Sequence, residues 1–457
     1  MKSKYKAYPS YRDSGVEWLG KIPEHWTYSK FGFLKTVLTD YTANGSFADL
    51  AKYVTYRDEE DYARLVRLTD LRKNLKNKQG VWIDKDSYEF LKKSALFGGE
   101  FLMANVGAYA GLFYQMPYTS KPASLAPNMF MAKFNTKKVS EHFMTYIGIS
   151  DSAHKQLRLK ATSSSAQPKL NKDDFKSIKF VYPSLQEQQT IATYLDKATA
   201  KIDTLIEKQT KLIELLKEKR QAVISTAVTR GLDSSVPMKD SGVEWLGEIP
   251  EGWKYYRIDW VSTIIRGNTG FKKDELLNNG DYLALQYGKT YKVDEVNEAF
   301  NFYVNNEFYK PSQVVHHGDT ILISTSETVE DLGHSCFYNR NELGLIGGEQ
   351  ILLKPNTQLV FEKYLYYSSK VFSSKLKKYA SGLKVFRFNI DDLKNVFISI
   401  PLISEQEKIV QHIDDKTSKI DNLINKATKA IDLLKERRTA LISAVVTGKI
   451  DVRGEVG

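Results

Sequence analysis

The sequence predicts an α+β protein in which two α/β domains lie at opposite ends of an antiparallel pair of long helices, as a pseudo-twofold tandem repeat. Three observations support this fold class. The segment DSGVEWLGKIPEHW at residues 13–26 returns at 240–253 with twelve of its fourteen positions unchanged. A segment of 44 residues at 186–229 returns at 404–447 with 24 identities. Between the repeated parts lie two stretches, residues 27–181 and 254–399, that are much less alike.

Length and composition set the broad class of the protein. With 457 residues, of which 42% are hydrophobic, the chain is long enough for two domains and the segments that join them. It contains no run of eighteen apolar residues, and its first residues, MKSKYKAYPSYRD, lack the apolar stretch of a secretory signal. We therefore expect a cytoplasmic protein with no membrane partner. The single cysteine, Cys336, excludes an intramolecular disulfide and a cysteine-based zinc cluster.

The charge balance favours a polyanionic partner. The formal net charge is +11 and the pI is about 9.1. Most of the excess lies in residues 27–181, which carry 24 Lys and Arg against 15 Asp and Glu, whereas residues 254–399 carry 18 against 17. If both stretches bind nucleic acid, the second depends on the local arrangement of its side chains more than on its net charge.

The repeats divide the chain into seven segments. We expect an N-terminal clamp, a first variable domain, a long helix, a linker with a second clamp, a second variable domain, a second long helix and a tail, at residues 1–26, 27–181, 182–230, 231–253, 254–399, 400–449 and 450–457. Each half of the chain thus has the same order of parts.

The clamp is the Trp-rich segment that occurs twice. In its first copy, Ser14 and Glu17 have the spacing of a capping box, and Gly20 can end a short turn. Trp18 and Trp26 supply apolar area for docking. We expect this segment to join the end of a long helix to a domain. A ligand-binding aromatic box is the alternative.

The repeated segments at 186–229 and 404–447 have the period of long helices with a narrow apolar stripe. Neither contains an internal proline, and Pro183 and Pro401 stand just upstream, where a helix can begin. The stripe is expected at every seventh residue and three residues further on. These positions are Leu195, Ile202, Gln209, Leu216 and Val223 with Ala198, Leu205, Leu212 and Lys219 in the first copy, and Ile413, Ile420, Ala427, Leu434 and Leu441 with Ala430 in the second.

Connectivity predicts how the helices are arranged. A helix of roughly 40 residues is about 60 Å long, which is too long to be buried within one small domain. The first helix begins where the first variable domain ends, and a short linker separates its far end from the second variable domain. To bury its stripe against the first helix, the second helix has to run back antiparallel. The clamp would then meet a helix end in the same way in both halves.

The variable domains share a skeleton despite their divergence. RLVRLTDLRKN at 64–74 and DYLALQYGKTYK at 281–292 both predict a strand followed by a polar turn. FGGEFLMANVGAYAG at 97–111 and HHGDTILISTSETVEDLG at 316–333 each predict a turn, a buried strand and a loop. ATSSSAQPKLNKDDF at 161–175 stands where YASGLKVFRFNIDDL stands at 379–393. One scaffold with different loops suits two domains that recognise different targets.

The clamp, the Gly-acidic turn with its strand and loop, and the helix starts PSLQEQQTIATYLD and PLISEQEKIVQHID resemble the specificity subunits of bacterial type I restriction-modification systems. The likeness covers nearly the whole chain in the same order. It implies that the variable domains are target-recognition domains, each binding one half of a split sequence in double-stranded DNA. It also implies that the helices set the spacing of the halves and bind two methyltransferase subunits. Restriction subunits join in the full complex.

The resemblance further implies that this chain is non-catalytic. S-adenosylmethionine, ATP and Mg²⁺ are expected in the partner subunits, and no cofactor is expected here. The sequence has neither the Asn-Pro-Pro-aromatic or Asp-Pro-Pro-aromatic tetrapeptide of adenine methyltransferases nor a G-x-x-x-x-G-K-[ST] phosphate loop. Metal and hydrolytic sites are not expected from the remaining candidates, which are His316, His317, His334 and Cys336, and the acidic residues Glu327, Glu330 and Asp331.

Residues that suit DNA binding are long donors and amides for base edges, and small donors or cations for phosphates. The candidates of the first domain are Arg64, Arg67, Lys73, Asn105, Tyr109, Thr162, Ser163, Ser164, Ser165, Gln167 and Lys169. Those of the second domain are Gln286, Tyr287, Lys289, Tyr291, Ser324, Thr325, Ser326, Ser381, Lys384 and Arg387. For each of them an ordinary surface or turn role is the alternative.

Apolar residues beside the helix stripe predict a surface for the methyltransferase subunits. They are Ile206, Ile213, Leu215 and Ile224 in the first helix and Ile424, Ile431, Leu433 and Ile442 in the second. Helices that pack only against their own domains are the alternative. Two other functional classes remain open, a coiled-coil structural adaptor whose end domains bind proteins and a self-sufficient DNA enzyme.

Overall fold

The computed structural model describes residues 6–77, 79–162, 168–382 and 385–455. The chain forms two compact units. The first unit comprises Met1–Gln209 and Lys429–Gly457, and the second unit comprises Thr210–Thr428. Each unit contains one variable domain, one clamp and part of both long helices. The mixture of helix and sheet in two tandem units confirms the predicted α+β class.

The strands of the first unit form small sheets around its variable domain. A hairpin pairs Tyr11–Asp13 with Lys21–Pro23, and Thr27–Lys30 pairs with Lys179–Tyr182. One sheet has the order Phe113–Gln115, Phe101–Ala104, Met129–Phe134 and Lys35–Asp40. Another has the order Tyr56–Arg57, Trp82–Ile83, Ala63–Val66, Ala123–Leu125 and Ala95–Leu96.

Short helices cover these sheets and close the first core. They are Phe31–Leu34, Phe47–Tyr53, Leu68–Leu71, Lys85–Phe90, Glu141–Ile149, Asp151–Thr162 and Lys172–Lys176. Several begin at a side-chain cap, as at Ser140, whose hydroxyl accepts a hydrogen bond from the Phe143 amide at 3.1 Å. The fully buried aromatic rings, among them Phe31, Phe101 and Phe143, lie in a core that also takes in residues of both long helices.

The second unit repeats this plan. Met238–Asp240 pairs with Glu248–Pro250, Lys254–Arg257 with Phe397–Ile400, and Thr325–Ser326 with Phe386–Arg387. One sheet has the order Ser262–Arg266, Gln350–Pro355, Thr320–Ile323, Ser335–Tyr338 and Glu295–Val296. The other has the order Tyr303–Val304, Tyr282–Leu285, Gly344–Ile346 and Val314–Val315. The helices of this variable domain are Ile258–Val261, Tyr287–Thr290, Glu362–Leu376 and Ile390–Lys394.

Equivalent strands occupy equivalent places in the two variable domains. In the first, Ala63–Val66 pairs in parallel with Ala123–Leu125, and in the second, Tyr282–Leu285 pairs in parallel with Gly344–Ile346. The strands after the two Gly-acidic turns are central in their sheets and fully buried, as expected for strands covered on both faces. The skeleton predicted from the two weakly similar sequences is therefore present in both units.

The long helices span Leu185–Arg230 and Ile403–Val446. Their buried and half-buried rows alternate steps of four and three residues. The row of the first helix is Leu195, Thr199, Ile202, Ile206, Gln209, Ile213, Leu216, Arg220, Val223 and Ala227, and that of the second helix lies 218 residues further on, from Ile413 to Val445. The heptad positions beginning at Leu195 were predicted correctly. In the second set, Leu205, Leu212 and Lys219 were wrong, because the buried row lies four residues after each heptad position and not three, whereas Ala198 and Ala430 are half-buried beside that row.

The cause of this error lies in the polar members of the row. After Leu195, the apolar Ala198 favoured a spacing of three residues. The structure instead buries Thr199, four residues after Leu195, which is 5% exposed. The Thr199 hydroxyl donates to the carbonyl of Leu195 at 2.7 Å, so its burial leaves no orphaned polar group. With the register set in this way, Leu205 and Leu212 become exposed, by 46% and 42%.

Within each unit the two helices run antiparallel. The beginning of the first helix, with Leu195 and Ile202, packs in the first unit against the end of the second helix, with Leu441 and Val445. In the second unit the end of the first helix, with Ile224, joins the same core as the beginning of the second helix. Each unit therefore supports the predicted antiparallel pairing on its own.

The clamp contacts the beginning of one long helix and the end of the other. In the first unit, Nε1 of the buried Trp26 donates to Oε1 of Glu187 at 3.1 Å. Nζ of Lys449, just beyond the second helix, donates to the carbonyls of Leu19 and Lys21, each at 2.9 Å. In the second unit, Nε1 of Trp253 donates to Glu405 at 3.2 Å.

A glycine ends each long helix where the clamp approaches. Gly231 and Gly448 have φ angles of +74° and +72°, which place them in the left-handed conformation that is common after a helix. A Cβ at Gly448 would lie 2.4 Å from Cδ of Pro23, and one at Gly231 would lie 3.1 Å from the ring of Trp253. Among the helices of the described residues, none is long and apolar enough to cross a membrane.

Candidate nucleic-acid interface

The first predicted group of DNA-binding residues lies on the strand Ala63–Val66 and the turn after it. Arg64 is largely buried, and its guanidinium donates to the carbonyl of Leu75 at 3.0 Å and to Oδ1 of Asp70 at 3.1 Å. Arg67, which is 39% exposed, donates to Oδ2 of Asp70 at 3.0 Å. Both arginines are therefore engaged in holding the turn, and Arg67 also faces solvent.

Asp70 is the fully buried centre of this arrangement. Burial raises the pKa of its carboxyl group, but hydrogen bonds from Arg67 and Asn77 outweigh burial and hold the pKa below its ordinary value. Asp70 is therefore ionised at neutral pH and anchors two guanidinium groups. A cleft of about 730 Å³ opens beside it and is lined by Arg67, the exposed Lys73 and Gln79, among others.

The second predicted group lies on the loop after the strand Phe101–Ala104. The backbone of this loop pairs with the segment at Lys169 through a bridge from Val106. Tyr109 is 48% exposed, and the guanidinium carbon of Arg72 lies 4.4 Å from its ring centroid. Arg72 was not among the predicted residues, although it follows Arg67 in the same polar turn. Asn105 and Lys169 line one cleft of about 960 Å³.

Part of the third predicted group lies outside the described residues, namely Ser163, Ser164, Ser165 and Gln167. Thr162 ends the helix Asp151–Thr162, and its side chain is likewise outside the description. In the second unit the same holds for Lys384.

In the second unit the predicted residues Gln286, Tyr287, Lys289 and Tyr291 lie at the helix Tyr287–Thr290 that follows the strand Tyr282–Leu285. The rings of Tyr287 and Tyr291 stack at 5.5 Å, and Nε2 of Gln286 donates to the carbonyl of Phe271 at 3.1 Å. Nζ of Lys289 lies 4.2 Å from the ring centroid of Phe302. Gln286 and Tyr287 line a cleft of about 410 Å³ that has glycines on its other side.

The remaining predicted residues of the second unit come together beside this cleft. Thr325 and Ser326 pair with Arg387 and Phe386 in a short antiparallel ladder, and the Ser381 amide donates to the Arg387 carbonyl at 3.1 Å. The Tyr287 hydroxyl lies 3.4 Å from Oγ of Ser326, which ties this ladder to the tyrosine pair. Ser324 and Ser326 are buried, whereas the Arg387 side chain is exposed. The structure thus assembles three separate loops at one surface.

Other histidines and acidic residues of the second variable domain make local contacts. Within the described part of the chain, no group of three or more His, Cys, Asp or Glu residues has a geometry that could hold a metal ion. His316 and His334 serve local contacts, with Nε2 of His334 2.9 Å from the Val293 carbonyl. Asp331 accepts from the Thr328 hydroxyl at 2.7 Å and so stabilises its own loop.

The predicted partner surface of the helices divides into buried and exposed residues. Ile224 and Ile442 are 0% and 1% exposed, so the prediction that they lie on a partner surface was wrong, because each belongs to the core of its own unit. Ile206, Ile213, Ile424 and Ile431 belong to the rows described above. Leu215 and Leu433 are exposed, by 50% and 65%.

Two further leucines are exposed, Leu205, which was predicted to lie in the stripe, and Leu423, which was not among the predicted residues. Leu205 and Leu423 are exposed by 46% and 49%. They are equivalent in the repeat, as are Leu215 and Leu433. The first unit therefore carries Leu205 with Leu433, and the second unit carries Leu215 with Leu423. Each unit thus presents exposed leucines from both long helices, and such exposed apolar groups are typical of contact surfaces.

Comparison with known proteins gives a consistent result. Residues 48–215 and 250–432 match the family model described as type I restriction modification DNA specificity domain. The putative type I restriction enzyme MjaX specificity subunit of Methanocaldococcus jannaschii is 25% identical over 95% of this chain and 96% of its own length. The type I restriction enzyme EcoKI specificity subunit of Escherichia coli K12 is 24% identical over 45% of this chain and 44% of its own.

Two solved structures share the fold. One is a chain from a study of complex assembly and conformational transition of the type I R-M system, with a TM-score of 0.68 and 16% identity over 93% of this chain and 98% of that chain. The other is the HsdS subunit from Thermoanaerobacter tengcongensis, with a TM-score of 0.50 and 16% identity over 94% of this chain and 98% of that chain.

Proposed function

The chain belongs to the type I restriction modification DNA specificity family, and we propose that it is the non-catalytic subunit that selects the DNA target of a type I restriction-modification complex. The two matched regions together span more than half of the sequence. One observation carries the proposal. Equivalent strands in the two units lead into loops that begin with different polar residues, as Asn105 and Ser324 illustrate.

Each variable domain would recognise one half of a split target. A shared framework with different side chains gives two specificities without two folds. In this proposal, exposed cations such as Lys73, Lys169 and Arg387 would bind phosphates, and amides such as Gln286 would bind base edges.

The other subunits of the complex would supply the chemistry. Methylation of adenine with S-adenosylmethionine would belong to two methyltransferase subunits, and cleavage driven by ATP with Mg²⁺ to restriction subunits. The exposed leucines support the number two, because Leu205 with Leu433 and Leu215 with Leu423 form one equivalent pair per unit. Each pair would dock one methyltransferase subunit through apolar contact.

The function is tested by sequencing the methylated bases of cells with and without the gene. We expect deletion to remove methylation from one split adenine motif. Unchanged methylation would contradict the proposal. An adaptor that binds only proteins predicts, in addition, no sequence-dependent retention of duplex DNA in gel shifts. A self-sufficient enzyme predicts that the purified chain alone methylates or nicks DNA.

The partner surface is tested by replacing Leu215 and Leu433 with lysine, one in each unit. We expect loss of co-purification with the methyltransferase and an unchanged thermal midpoint, because both side chains are already in solvent. Ile213→Lys is the control for a half-buried position. It places a charge in the row through which the helices pack and should lower the thermal midpoint. Co-purification that survives the double leucine replacement would refute this surface.

A further inference from the structure

Asn105 and Ser324 occupy the same corner of the two variable domains. Each follows the central strand of its sheet by one residue. The Asn105 amide donates to the carbonyl of Asn128 at 3.1 Å, and the Ser324 amide donates to the carbonyl of Glu349 at 3.0 Å. Asn128 and Glu349 each stand directly before the neighbouring strand, so they are equivalent as well.

The backbone at this corner adopts an uncommon conformation in both domains. Asn128 has a φ angle of +63° and Glu349 one of +66°. Asparagine tolerates the left-handed region, but glutamate is disfavoured there, and glycine would avoid the strain. Glu349 directly follows Gly347 and Gly348, so it stands in a turn where glycine is already used. Side chains retained at such positions are typical of functional sites.

Buried polar atoms at each corner have no hydrogen-bond partner in the part of the chain that the structure describes. Oδ1 of Asn105 and Oγ of Ser324 are buried and make no hydrogen bond with any described residue. The Ser324 residue is only 2% exposed. Oγ1 of Thr269, in the same cleft as Glu349, is also buried without a partner among these residues. Buried polar groups are almost always paired in native proteins, so these atoms point to a polar ligand.

The side chains of Asn128 and Glu349 are exposed at the clefts that contain the residues predicted to bind DNA. Asn128 shares its cleft with Asn105 and Lys169, and Glu349 shares its cleft with Gln286 and Tyr287. A carboxylate repels phosphate and offers only acceptors, so on a DNA-binding surface its matching group is the amino group of a base. Among the pairings with base edges, carboxylate suits cytosine N4, and asparagine suits adenine N6 and N7.

We propose that Asn128 and Glu349 are specificity-determining residues that each contact one base edge, Asn128 an adenine and Glu349 a cytosine. Asn105 and Ser324, whose main-chain amides bond to the carbonyls of Asn128 and Glu349, supply buried polar atoms at each corner. This inference rests on the proposed function and deepens it, because it names the side chains and the base chemistry of each half-site. The two domains differ at the corner in the side chain, while the main-chain bonds are the same.

The test replaces Glu349 with glycine or glutamine in the chromosomal gene and maps the methylated motif in the intact complex. Glycine is compatible with the left-handed backbone, so Glu349→Gly should preserve the thermal midpoint of the purified full chain. Glu307→Gln is the matched control, since Glu307 is an exposed glutamate of the same domain that does not line the cleft. Asn128→Gly is the corresponding change in the first domain.

We expect Glu349→Gly to reduce discrimination at one base of one half-site by about 5- to 150-fold and to leave the other half-site unchanged. Asn128→Gly should act on the opposite half-site, and Glu307→Gln on neither. Loss of methylation with an unchanged midpoint also supports the proposal. An unchanged motif in both Glu349 variants overturns it, and so does a glycine variant whose effect is explained by a lower midpoint. Failure of the proposed function gives a different result. If the chain does not select the methylated target, deletion of the whole gene leaves methylation unchanged.

Discussion

Nε of Arg438 donates to Oδ1 of Asp203 at 2.9 Å and joins the two long helices within the first unit. The same pair recurs in the second unit with the helices exchanged, where Nε of Arg220 donates to Oδ1 of Asp421 at 3.0 Å. Both arginines are half-buried members of the rows through which the helices pack, and each ion pair joins one helix to the other. Each unit therefore contains one ion pair that joins the two antiparallel helices.

The two arginines should differ in their contribution to stability. Arg220 also contacts Asp294 at 3.2 Å, and Lys370 contacts the same carboxylate at 2.7 Å, whereas Arg438 is more exposed. We expect Arg220→Ala to destabilise the protein by about 2 kcal/mol, because it removes a mostly buried side chain together with its ion pairs to two half-exposed carboxylates, and Arg438→Ala by about 1 kcal/mol. Urea unfolding of the two variants measures the difference. Equal midpoints would contradict this ordering.

The register of the helices shows which part of the fold could be predicted. The heptad positions of Leu195 and Ile202 were evident, because both are apolar at a spacing of seven. The other set was not, since Leu205 and Ile206 are adjacent and equally apolar, and the correct choice depends on Thr199 and Arg220 finding internal partners. Hydrogen bonds of this kind are not encoded in a hydrophobic pattern.

The glycines that end the long helices allow a matched comparison. Both need the left-handed backbone, so alanine costs about 1 kcal/mol at either position. At Gly448 the added Cβ would also overlap Pro23, a ring that cannot rotate away, whereas at Gly231 the contact with Trp253 is only tight. We expect Gly448→Ala to be the more destabilising by about 1–3 kcal/mol. Thermal unfolding checks this, and a larger effect at Gly231 would show that the clamps are held differently.

Asp70 provides a prediction about pH. Its folded pKa lies below the unfolded value of about 3.9, so its ionised form stabilises the fold above that pH and this contribution is lost as pH falls through the folded pKa. We expect Asp70→Asn to cost about 3 kcal/mol at pH 7, because it leaves Arg64 and Arg67 without their anion. The difference from the parent protein should narrow below about pH 4.

The control for this experiment is Asp86→Asn. Asp86 is an exposed carboxylate of the same domain, and its replacement should change stability by less than about 0.5 kcal/mol at either pH. A stability difference for Asp70→Asn that is the same at pH 3 as at pH 7 would mean that the charge of Asp70 does not stabilise the turn.

Cys336 is predicted to be inert in the folded protein. It is 1% exposed, and burial raises the pKa of its thiol to about 12, so very little reactive thiolate is present at neutral pH. We expect a thiol reagent to modify the native chain only as fast as the second variable domain opens. Thr357→Cys, which adds a thiol on an exposed turn, should react at once. Rapid modification of the parent protein would contradict the burial of this strand.

The family was evident from the sequence, and the matched regions confirm the resemblance. The corner residues of the proposed interface were harder to predict from the sequence. Asn105 and Ser324 were among the predicted residues because each follows a buried strand. Asn128 and Glu349 were missed, since a positive φ angle is uncommon in residues other than glycine and is not expected from the sequence. Asparagine's tolerance for that conformation was the available signal at 128, and no such signal exists at 349.

The main-chain hydrogen bonds at Asn128 and Glu349 have an evolutionary consequence. They do not involve the side chain at the corner, because only amide and carbonyl groups take part. A single codon change there leaves the surrounding scaffold in place while altering the chemical group offered to DNA. A point mutation in one half of the gene can therefore change the DNA half-site that one domain recognises. The other domain continues to recognise its original half-site.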